Sequence, residues 1–336
     1  MAIYEPEART IYMTKQETFQ LEFENHVKEG LSAFPKFLSS KYIYDDRGDE
    51  LFQQIMALPE YYLTKAEFNI VETHKSKLRK VFNAHGAFDL IELGAGDGKK
   101  TKVLLKELVL NEVEFTYIPI DISQHAIDDL THSLTTLLPS LEVQGEQGTY
   151  FKVLERLATY NKRPKVIIVL GSNIGNLEHP QAIDFLKKIK EVMSSKDLLF
   201  MGFDQKKNPL TIQNAYADSQ GVTQEFNRNL LHRINKEMDG NFPVDNFEHW
   251  ESYDPETGTA KSFLIATESC EVEIKKLQLK TFFKKWETIH CEISQKYDDD
   301  TVEWLAHQSG LQIEEIYEDH QKLFKDYLFK IKNKTT

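Results

Sequence analysis

Short apolar runs bounded by turn residues recur through the middle of the chain. They occupy residues 88–93, 115–121, 141–145, 165–171 and 197–204. Apolar runs of this length are typical of strands that are buried on both faces of a sheet. Amphipathic segments separate the runs and predict helices, for example at 99–110 and 181–193. This alternation of strand and helix over residues 69–205 predicts an α/β fold with a parallel, doubly wound sheet.

Residues 206–296 interrupt the alternation. A helix is predicted at 222–238, where apolar residues recur at four-residue steps from Phe226 to Met238. The stretch 247–296 then alternates apolar and polar positions between turn residues, which predicts antiparallel strands.

The C-terminal segment returns to the first pattern. It contains a predicted helix at 301–310 and predicted strands at 311–317 and 326–332. We expect these elements to complete the first sheet, with an antiparallel final strand. Residues 69–205 and 297–336 would then form one domain, and residues 1–68 and 206–296 a second, substrate-binding α+β lobe over the strand ends.

The N-terminal region combines predicted helices and loops with many aromatic residues. In PEYYLTKAE (59–67), Thr64 and Glu67 have the spacing of a capping box, in which each side chain accepts the other residue's backbone N–H. This predicts a helix that starts near Thr64, with Tyr61 and Tyr62 just before it.

Composition and charge exclude several function classes. The 336 residues include 41 Lys and Arg against 53 Asp and Glu, a formal net charge of −12, which argues against a generic nucleic-acid binder. Two cysteines form neither a disulfide framework nor a four-cysteine zinc site, and the eleven histidines show no HExxH pair, so we expect no metal. The N-terminal segment lacks the apolar core of a signal peptide, and no apolar run approaches the roughly 20 residues that span a bilayer. We therefore expect a cytoplasmic protein without a membrane partner, and a monomer by default.

Three glycines directly follow the first strand of the predicted sheet, in IELGAGDGKKT (91–101). Gly94, Gly96 and Gly98 would let the backbone approach a ligand, and Asp121, at the end of the second strand, could bind ribose hydroxyls. A dinucleotide and S-adenosylmethionine both fit this arrangement, and a tight turn without a ligand is the third interpretation. The acidic Glu92 and Asp97 would repel a pyrophosphate and suit a sulfonium cation, which favours S-adenosylmethionine.

The fourth strand ends in LGSNIGN (170–176). Ligands of open α/β sheets bind outside the carboxyl ends of the strands, so these glycines and asparagines predict a site for a polar acceptor. The segment has no proline and no aromatic residue on which a base could stack, which argues against a nucleic-acid methyltransferase.

Five segments together carry a family resemblance: YIYDDRGDELFQQIMALPEYYLTKAE (42–67), IELGAGDGKKT (91–101), GSNIGN (171–176), AYADSQGVTQEFNRNLLHRIN (215–235) and EISQKY (292–297). In this order they resemble the L-histidine Nα-methyltransferases of ergothioneine biosynthesis, over nearly the whole chain. The resemblance implies a Rossmann-like class I methyltransferase sheet with a family-specific second lobe. It also implies S-adenosylmethionine as cofactor and free L-histidine as a small-molecule substrate, methylated on its α-amino group toward Nα,Nα,Nα-trimethylhistidine.

The resemblance also implies individual site residues. The positions that match the family's cofactor site are Gly94, Lys100, Asp121, Thr149 and Tyr150. Those matching the residues around the amino-acid end of histidine are Tyr61, Asn176 and Tyr216, while Glu292 and Ser294 match the residues around the imidazole. Tyr44 matches a residue near the acceptor and is our candidate to orient the amine or the ring. Because Glu292 and Ser294 are two apart, they would point to the same side of a strand.

Two departures from the family pattern leave alternatives open. Thr149–Tyr150 stands where bacterial members often have an Asp–aromatic pair, and Ser262 stands where a methionine is common. The number of methyl groups added and the preferred ring are therefore open. An N-methyltransferase for another aromatic, tryptophan-like amine, a dinucleotide-dependent oxidoreductase and a non-catalytic sensor are the competing hypotheses.

Overall fold

The structure is a computed structural model that describes residues 15–121, 124–157 and 163–332. Within those residues the α-helices are α1 Lys15–Ser32, α2 Asp46–Ala57, α3 Tyr62–Phe82, α4 Lys99–Leu110, α5 Gln124–Leu137, α6 Tyr150–Leu157, α7 His179–Val192, α8 Pro209–Tyr216, α9 Val222–Met238 and α10 Asp299–Ser309. Short 3₁₀-helices lie at Ser40–Tyr42, Asn173–Asn176, Val244–Asn246 and Lys275–Leu277.

The strands of the same described residues fall into three sheets. They are β1 Lys36–Phe37, β2 Phe88–Leu93, β3 Phe115–Asp121, β4 Glu142–Val143, β5 Glu146–Gln147, β6 Lys165–Val169, β7 Leu198–Asp204, β8 Phe247–Asp254, β9 Thr259–Ala266, β10 Cys270–Ile274, β11 Leu279–Phe283, β12 Thr288–Gln295, β13 Leu311–Glu318 and β14 Phe324–Ile331. No helix in the part of the chain that the structure describes is long and apolar enough to cross a membrane.

The large sheet has the strand order β13-β14-β7-β6-β2-β3-β4, with β5 also paired to β3. The pairs from β7 to β4 are parallel, whereas β14 is antiparallel to both of its neighbours. The predicted parallel sheet with an antiparallel final strand is therefore confirmed. This order, with its reversed last strand, agrees with the Rossmann-like class I methyltransferase sheet that the resemblance implies.

Alternate side chains of the sheet enter two different cores. On one face, Leu90 lies in a buried cluster with residues of α3 and α4; on the other, Ile91 lies in a cluster with residues of α7 and α10. Both clusters consist of aliphatic and aromatic side chains. Burial on both faces explains why the strands are apolar runs without polar alternation.

The chain divides into two compact units. The sheet unit comprises Met56–Asp218, Ser252–Lys261 and the described residues from Ile293 onward. These bounds differ from the predicted ones, because α3 and α8 group with the sheet and not with the second lobe. The reason is that Leu63 of α3 and Ile212 of α8 are buried in the same core as Leu90.

The predicted capping box at the start of α3 is wrong. The helix begins at Tyr62, and Tyr61 occupies the N-cap position without a side-chain cap. Thr64 therefore lies inside the first turn. The carboxylate of Glu67 instead accepts the backbone N–H of Gly171, at 2.8 and 2.9 Å from its two oxygens.

The other unit comprises the described residues up to Ile55, with Ser219–Glu251 and Ser262–Glu292. The predicted helix at 222–238 is confirmed as α9, whose apolar residues from Phe226 to Met238 are buried. β10 and β11 form an antiparallel hairpin, and the strand order around β12 is β1-β12-β9-β8. β8, β9 and β12 each contain residues of both units, so the chain passes between the units inside strands.

Candidate functional site

The glycine loop after β2 is built for close backbone approach. Gly94, Gly96 and Gly98 have φ of +78°, +51° and +63°, the left-handed region that glycine adopts without strain. A Cβ on Gly94 would lie 2.5 Å from the Tyr150 hydroxyl oxygen and 2.9 Å from Asn173 Nδ2. A side chain is thereby excluded at Gly94, which brings two predicted cofactor residues together.

Gly96 lies next in this loop and contacts Asp121, the last residue of β3. The Gly96 N–H donates to Asp121 Oδ2 at 3.1 Å, which ties the loop to the end of β3. A Cβ built on Gly96 would meet nothing within 4 Å, so the loop borders open space at this point. A carboxylate at the carboxyl end of the second strand, beside such a space, fits a ribose diol.

Thr149 and Tyr150 lie at the start of α6. Thr149 is exposed, and its carbonyl accepts the Val153 N–H at 3.2 Å. Asn173 Nδ2 lies 3.4 Å from the Tyr150 hydroxyl oxygen. Burial, with the carboxylates of Asp121 and Glu92, raises the pKa of Tyr150, so its phenol stays protonated and can donate a hydrogen bond.

Lys100, in the first turn of α4, is bound to Glu67, which the sequence predicted as a helix cap and not as a site residue. Its ammonium forms an ion pair with the carboxylate of Glu67, which is buried on the inner side of α3. The same carboxylate accepts the N–H of Gly171, so it links α3, α4 and the loop after β6. Lys100 Nζ also lies 3.6 Å from where a Cβ on Gly171 would stand.

A second buried carboxyl group lies beside Glu67. Asp326 of β14 is fully buried, and desolvation followed by the charge of Glu67 raises its pKa well above the usual value. The raised pKa favours the protonated form of Asp326, beside the carboxylate that binds Lys100.

Glu92, near the end of β2, is less charged than its position beside the glycine loop suggests. Its carboxylate accepts hydrogen bonds from the Thr101 and Tyr117 hydroxyls in a fully buried site. Burial raises the pKa of Glu92 to about 7, against the lowering effect of those two hydrogen bonds. Near neutral pH it is only partly ionised, so the predicted repulsion of a pyrophosphate rests on Asp97 more than on Glu92.

These residues fit S-adenosylmethionine better than a dinucleotide. The two lysines that open α4 are both bound to carboxylates, Lys99 to Asp97 at 3.0 Å and Lys100 to Glu67. An acidic loop of this kind suits a sulfonium cation and ribose hydroxyls, whereas a pyrophosphate would require an excess of donors and positive charge.

Two predicted substrate residues are hydrogen-bonded to each other. Tyr216, the last residue of α8, and Ser294 of β12 are both buried, and their hydroxyl oxygens lie 2.8 Å apart. The Lys296 ammonium donates to Tyr216 Oη at 2.7 Å and to Ser294 Oγ at 2.6 Å. Tyr61, the N-cap of α3, packs its ring edge-on against Tyr216, with 6.0 Å between centroids.

Two lysines and a tyrosine surround Asp204 at the end of β7. Its carboxylate binds the ammonium of Lys296 at 2.9 Å and that of Lys207, and accepts the Tyr62 hydroxyl at 2.9 Å. Burial alone would raise the pKa of Asp204, but the two lysines hold it below its usual value. Burial lowers the pKa of Lys207 to about 8, although Asp204 opposes this shift.

Asn176 ends the 3₁₀-helix Asn173–Asn176 and is exposed. The preceding loop is fixed by Ser172, whose φ is +54° and whose hydroxyl accepts the Asp204 N–H at 3.1 Å. The Tyr297 hydroxyl donates to the Ile174 carbonyl at 3.1 Å. These bonds tie the Asn173–Asn176 segment to the ends of β7 and β12.

Tyr44 and Glu292 belong to the other unit. The Tyr44 ring packs edge-on against Phe226, at 5.4 Å between centroids, and against Phe52 at 5.7 Å. Glu292 is half-buried on β12, and its carbonyl lies 3.1 Å from His290 Nε2. Their roles toward an acceptor stay predictions from the resemblance.

Ser262, the departure from the family pattern, is buried in the same unit as Tyr44. Its hydroxyl donates to Glu251 Oε2 at 2.7 Å. The chain thus has a hydrogen-bonded polar pair where family members commonly have a methionine.

Comparison with known proteins identifies the family. The model of the family described as "Histidine-specific methyltransferase, SAM-dependent" matches residues 23–331. The chain is 32% identical over 285 residues to a histidine N-alpha-methyltransferase of Mycolicibacterium smegmatis, covering 85% of this chain and 87% of the relative. A histidine N-alpha-methyltransferase of Mycobacterium tuberculosis is also 32% identical, with 84% and 86% covered. An ergothioneine biosynthesis protein 1 of Schizosaccharomyces pombe is 26% identical over 84% of this chain and 37% of its own length.

Two solved methyltransferase structures are distantly similar to this chain. A mitomycin 7-O-methyltransferase has a TM-score of 0.47 at 11% identity, covering 95% of this chain and 69% of that one. A methyltransferase of Clostridium acetobutylicum has a TM-score of 0.42 at 10% identity, covering 78% and 91%.

The matches give no support to a dinucleotide-dependent oxidoreductase. The family model covers both compact units, and the cofactor of that family is S-adenosylmethionine. The chain belongs to the family of S-adenosylmethionine-dependent, histidine-specific methyltransferases.

Proposed function

We propose that this protein methylates the α-amino nitrogen of free L-histidine, toward Nα,Nα,Nα-trimethylhistidine. The observation that carries the proposal is the similarity, over more than four-fifths of both chains, to two relatives named histidine N-alpha-methyltransferase. The relatives named for ergothioneine biosynthesis suggest that the product enters that route.

The arrangement in the sheet unit is consistent with this acceptor. Tyr216 was predicted to bind the amino-acid end of histidine and Ser294 its ring, and their hydroxyls lie 2.8 Å apart. Hydroxyl groups can pair with a carboxylate, an amine or a ring nitrogen, because each has one donor and two acceptor positions. We assign Tyr61 and Asn176 to the amino-acid end, and Glu292 to the ring, as the resemblance implies.

S-adenosylmethionine, when bound, supplies a methyl group activated by its sulfonium. We assign Gly94, Lys100, Asp121, Thr149 and Tyr150 to its binding. Asp121 would accept the ribose hydroxyls, the Tyr150 phenol would donate a hydrogen bond, and Lys100, held by Glu67, would contribute a fixed ammonium.

The protein's main task toward the acceptor is to align a neutral amine. An α-amino group titrates near ~8 and is mostly protonated at lower pH, so the bound ammonium must lose a proton before it can attack. Tyr44 is our candidate to orient the amine or the ring. Alignment of the nitrogen with the methyl carbon can supply roughly 7–11 kcal/mol of the barrier.

The test is transfer of a deuterated methyl group from labelled S-adenosylmethionine to a panel of acceptors, measured by mass spectrometry. We expect L-histidine to gain one to three labelled methyl groups. Nα-acetylhistidine, whose amine is blocked, should gain none, which separates α-amino from ring methylation. L-tryptophan tests the alternative raised by Ser262. Label on tryptophan and not on histidine, or on no acceptor at all, would contradict the proposal.

We also propose that the protein is a monomer and lies in the cytoplasm, both from the sequence alone. Size-exclusion chromatography with light scattering tests the first, and fractionation of the native cell tests the second.

A further inference from the structure

Glu67 is a fully buried residue whose carboxylate joins two of the predicted binding segments. Its two oxygens lie 2.8 and 2.9 Å from the backbone nitrogen of Gly171, the second residue after β6. The same carboxylate forms an ion pair with the ammonium of Lys100, in the first turn of α4. One side chain thus contacts a proposed cofactor residue and the start of the segment that ends in Asn176.

The segment from Gly171 to Asn176, here called the acceptor turn, has a backbone that needs support. Gly171 has φ of +85° and Ser172 has φ of +54°, so two successive residues are left-handed and the second of them carries a side chain. Such a conformation persists where neighbouring contacts hold it. Glu67 accepts the Gly171 N–H, and Ser172 Oγ accepts the Asp204 N–H at 3.1 Å.

The acceptor turn also touches the glycine loop. Asn173 Nδ2 lies 3.4 Å from Tyr150 Oη, and a Cβ on Gly94 would lie 2.9 Å from the same nitrogen. Lys100 Nζ lies 3.6 Å from where a Cβ on Gly171 would stand. A shift of the turn therefore changes its position relative to the residues assigned to the cofactor. Methyl transfer depends on that position, because the acceptor nitrogen must be aligned with the methyl carbon and the sulfur.

We propose that Glu67 is a positioning residue that fixes the acceptor turn beside the cofactor residues, through its hydrogen bond with the Gly171 N–H. The ion pair with Lys100 keeps the carboxylate in place, because a buried charge is stable when it is paired. The inference rests on the proposed function, since it takes Asn176, the last residue of the turn, as a residue that binds the amino-acid end of histidine. It adds Glu67 to the residues on which acceptor binding depends.

Two substitutions of Glu67 separate its hydrogen bond from its charge. Glu67→Gln keeps an oxygen that can accept the Gly171 N–H, whereas Glu67→Met has a similar length and no such acceptor. Both variants remove the counter-charge of Lys100, so both should weaken S-adenosylhomocysteine binding. Calorimetric titration with L-histidine at saturating S-adenosylhomocysteine distinguishes them. We expect histidine to bind about 10- to 100-fold more weakly to Glu67→Met, the range for a lost hydrogen bond to a charged group, and Glu67→Gln to restore most of that affinity.

Hydrogen exchange in the ligand-free protein gives a readout that depends on neither ligand. Mass spectrometry of a peptide that covers the acceptor turn measures how often its amides open. We expect these amides to exchange faster in Glu67→Met than in the wild type, by about the same factor of 10 to 100, and Glu67→Gln to resemble the wild type. The amides of β2 report global opening and serve as the reference in each protein.

Asp197→Leu is the matched control. Asp197 is also fully buried in the sheet unit and ion-paired, to Lys165 at 3.0 Å, and it accepts the backbone N–H groups of Lys165 and Ser194, each at 2.7 Å. It directly precedes β7, at the opposite end of that strand from Asp204. Its substitution should leave the histidine affinity unchanged, together with the exchange of the acceptor turn relative to β2.

The outcomes separate this inference from the proposed function. If Glu67→Met does not fold, Glu67→Asp, whose carboxylate is one methylene shorter, replaces it and should show a smaller loss in the same direction. An unchanged histidine affinity in whichever of these two variants folds, or an equal loss in Glu67→Gln or Asp197→Leu, would overturn the positioning role while leaving histidine methylation intact. A wild-type protein that binds S-adenosylhomocysteine but no amino acid would overturn both.

Discussion

Glu92 illustrates how burial changes the chemistry of a single residue. It lies at the end of β2, where an acidic residue was taken to repel an anionic cofactor, yet its carboxylate is directed to Thr101 and Tyr117. Burial raises its pKa to about 7, so the folded protein holds a proton there that the unfolded chain releases near pH 4.5. This carboxyl group therefore weakens the folded state when it is ionised.

The free energy of unfolding should therefore fall as pH rises from about 4.5 to about 7, because the folded state binds more protons than the unfolded chain in that window. We predict that Glu92→Gln removes this dependence. From pH 5 to pH 8, the free energy of unfolding of the variant should rise by roughly 1–3 kcal/mol relative to that of the wild type. Urea unfolding at the two pH values measures it, and parallel pH profiles for both proteins would show that Glu92 is not the group responsible.

Other site residues show what a sequence pattern can and cannot specify. Gly94 and Tyr150, predicted separately, are brought together because the turn after β2 allows no side chain. Glu67 was predicted only as a helix cap, and Lys296 was not singled out. Glu67 did carry a clue, because it occupies an inward position of α3 between Leu63 and Ile70. A charge at a buried position indicates a partner, but which partner depends on segments far apart in the chain.

At the scale of elements, the pattern of apolar residues was sufficient to predict the main strands and helices of the sheet unit. β2, β3 and α4 have the predicted bounds, as does α9 of the other unit, because an apolar run or stripe determines which side chains are buried. The start of α3 was not predictable from the Thr64–Glu67 spacing. The Glu67 carboxylate binds the Gly171 N–H and the Lys100 ammonium and does not cap its own helix. Local rules fail where a tertiary partner offers a better contact.

The packing of β7 against α3 and β14 depends on Gly202. A Cβ there would lie 2.8 Å from the Phe324 ring and 2.9 Å from Asp326 Oδ1, and closer still to the Glu67 carboxylate. We predict that Gly202→Ala lowers the free energy of unfolding by about 1–3 kcal/mol, the usual cost of overpacking. It should also disturb the ion pair between Glu67 and Lys100, and with it the affinity for S-adenosylhomocysteine.

Gly86→Ala provides the control for that substitution. Gly86 is exposed with φ of +81°, and a Cβ there meets nothing within 4 Å, so it measures backbone strain without a clash. We expect a cost of about 1–2 kcal/mol and no change in S-adenosylhomocysteine affinity. If Gly202→Ala left that affinity unchanged as well, the contact of β7 with Glu67 would not matter for the site.

At the scale of the whole molecule, the proposed cofactor residues share one unit. Gly94, Lys100, Asp121, Thr149 and Tyr150 all lie within Met56–Asp218. They lie at the carboxyl ends of neighbouring strands or in the first turn of the helices that follow. Open α/β sheets bind their ligands at this edge. The bounds of the second unit, by contrast, were not predictable from the local pattern, because its described residues up to Ile55 lie far along the chain from Ser219–Glu251 and Ser262–Glu292.

Binding to the folded protein alone must raise its stability, and this links the cofactor assignment to the whole molecule. S-adenosylhomocysteine at 100 times its dissociation constant should raise the free energy of unfolding by about 2.7 kcal/mol. If Asp121→Ala weakens binding tenfold, the gain at the same concentration falls to about 1.4 kcal/mol. Urea unfolding with and without ligand measures both, and NADH at that concentration serves as the control that should change neither protein. Equal gains in wild type and Asp121→Ala would contradict the assignment of Asp121 to the ribose. A gain with NADH would instead show that the glycine loop also binds a dinucleotide.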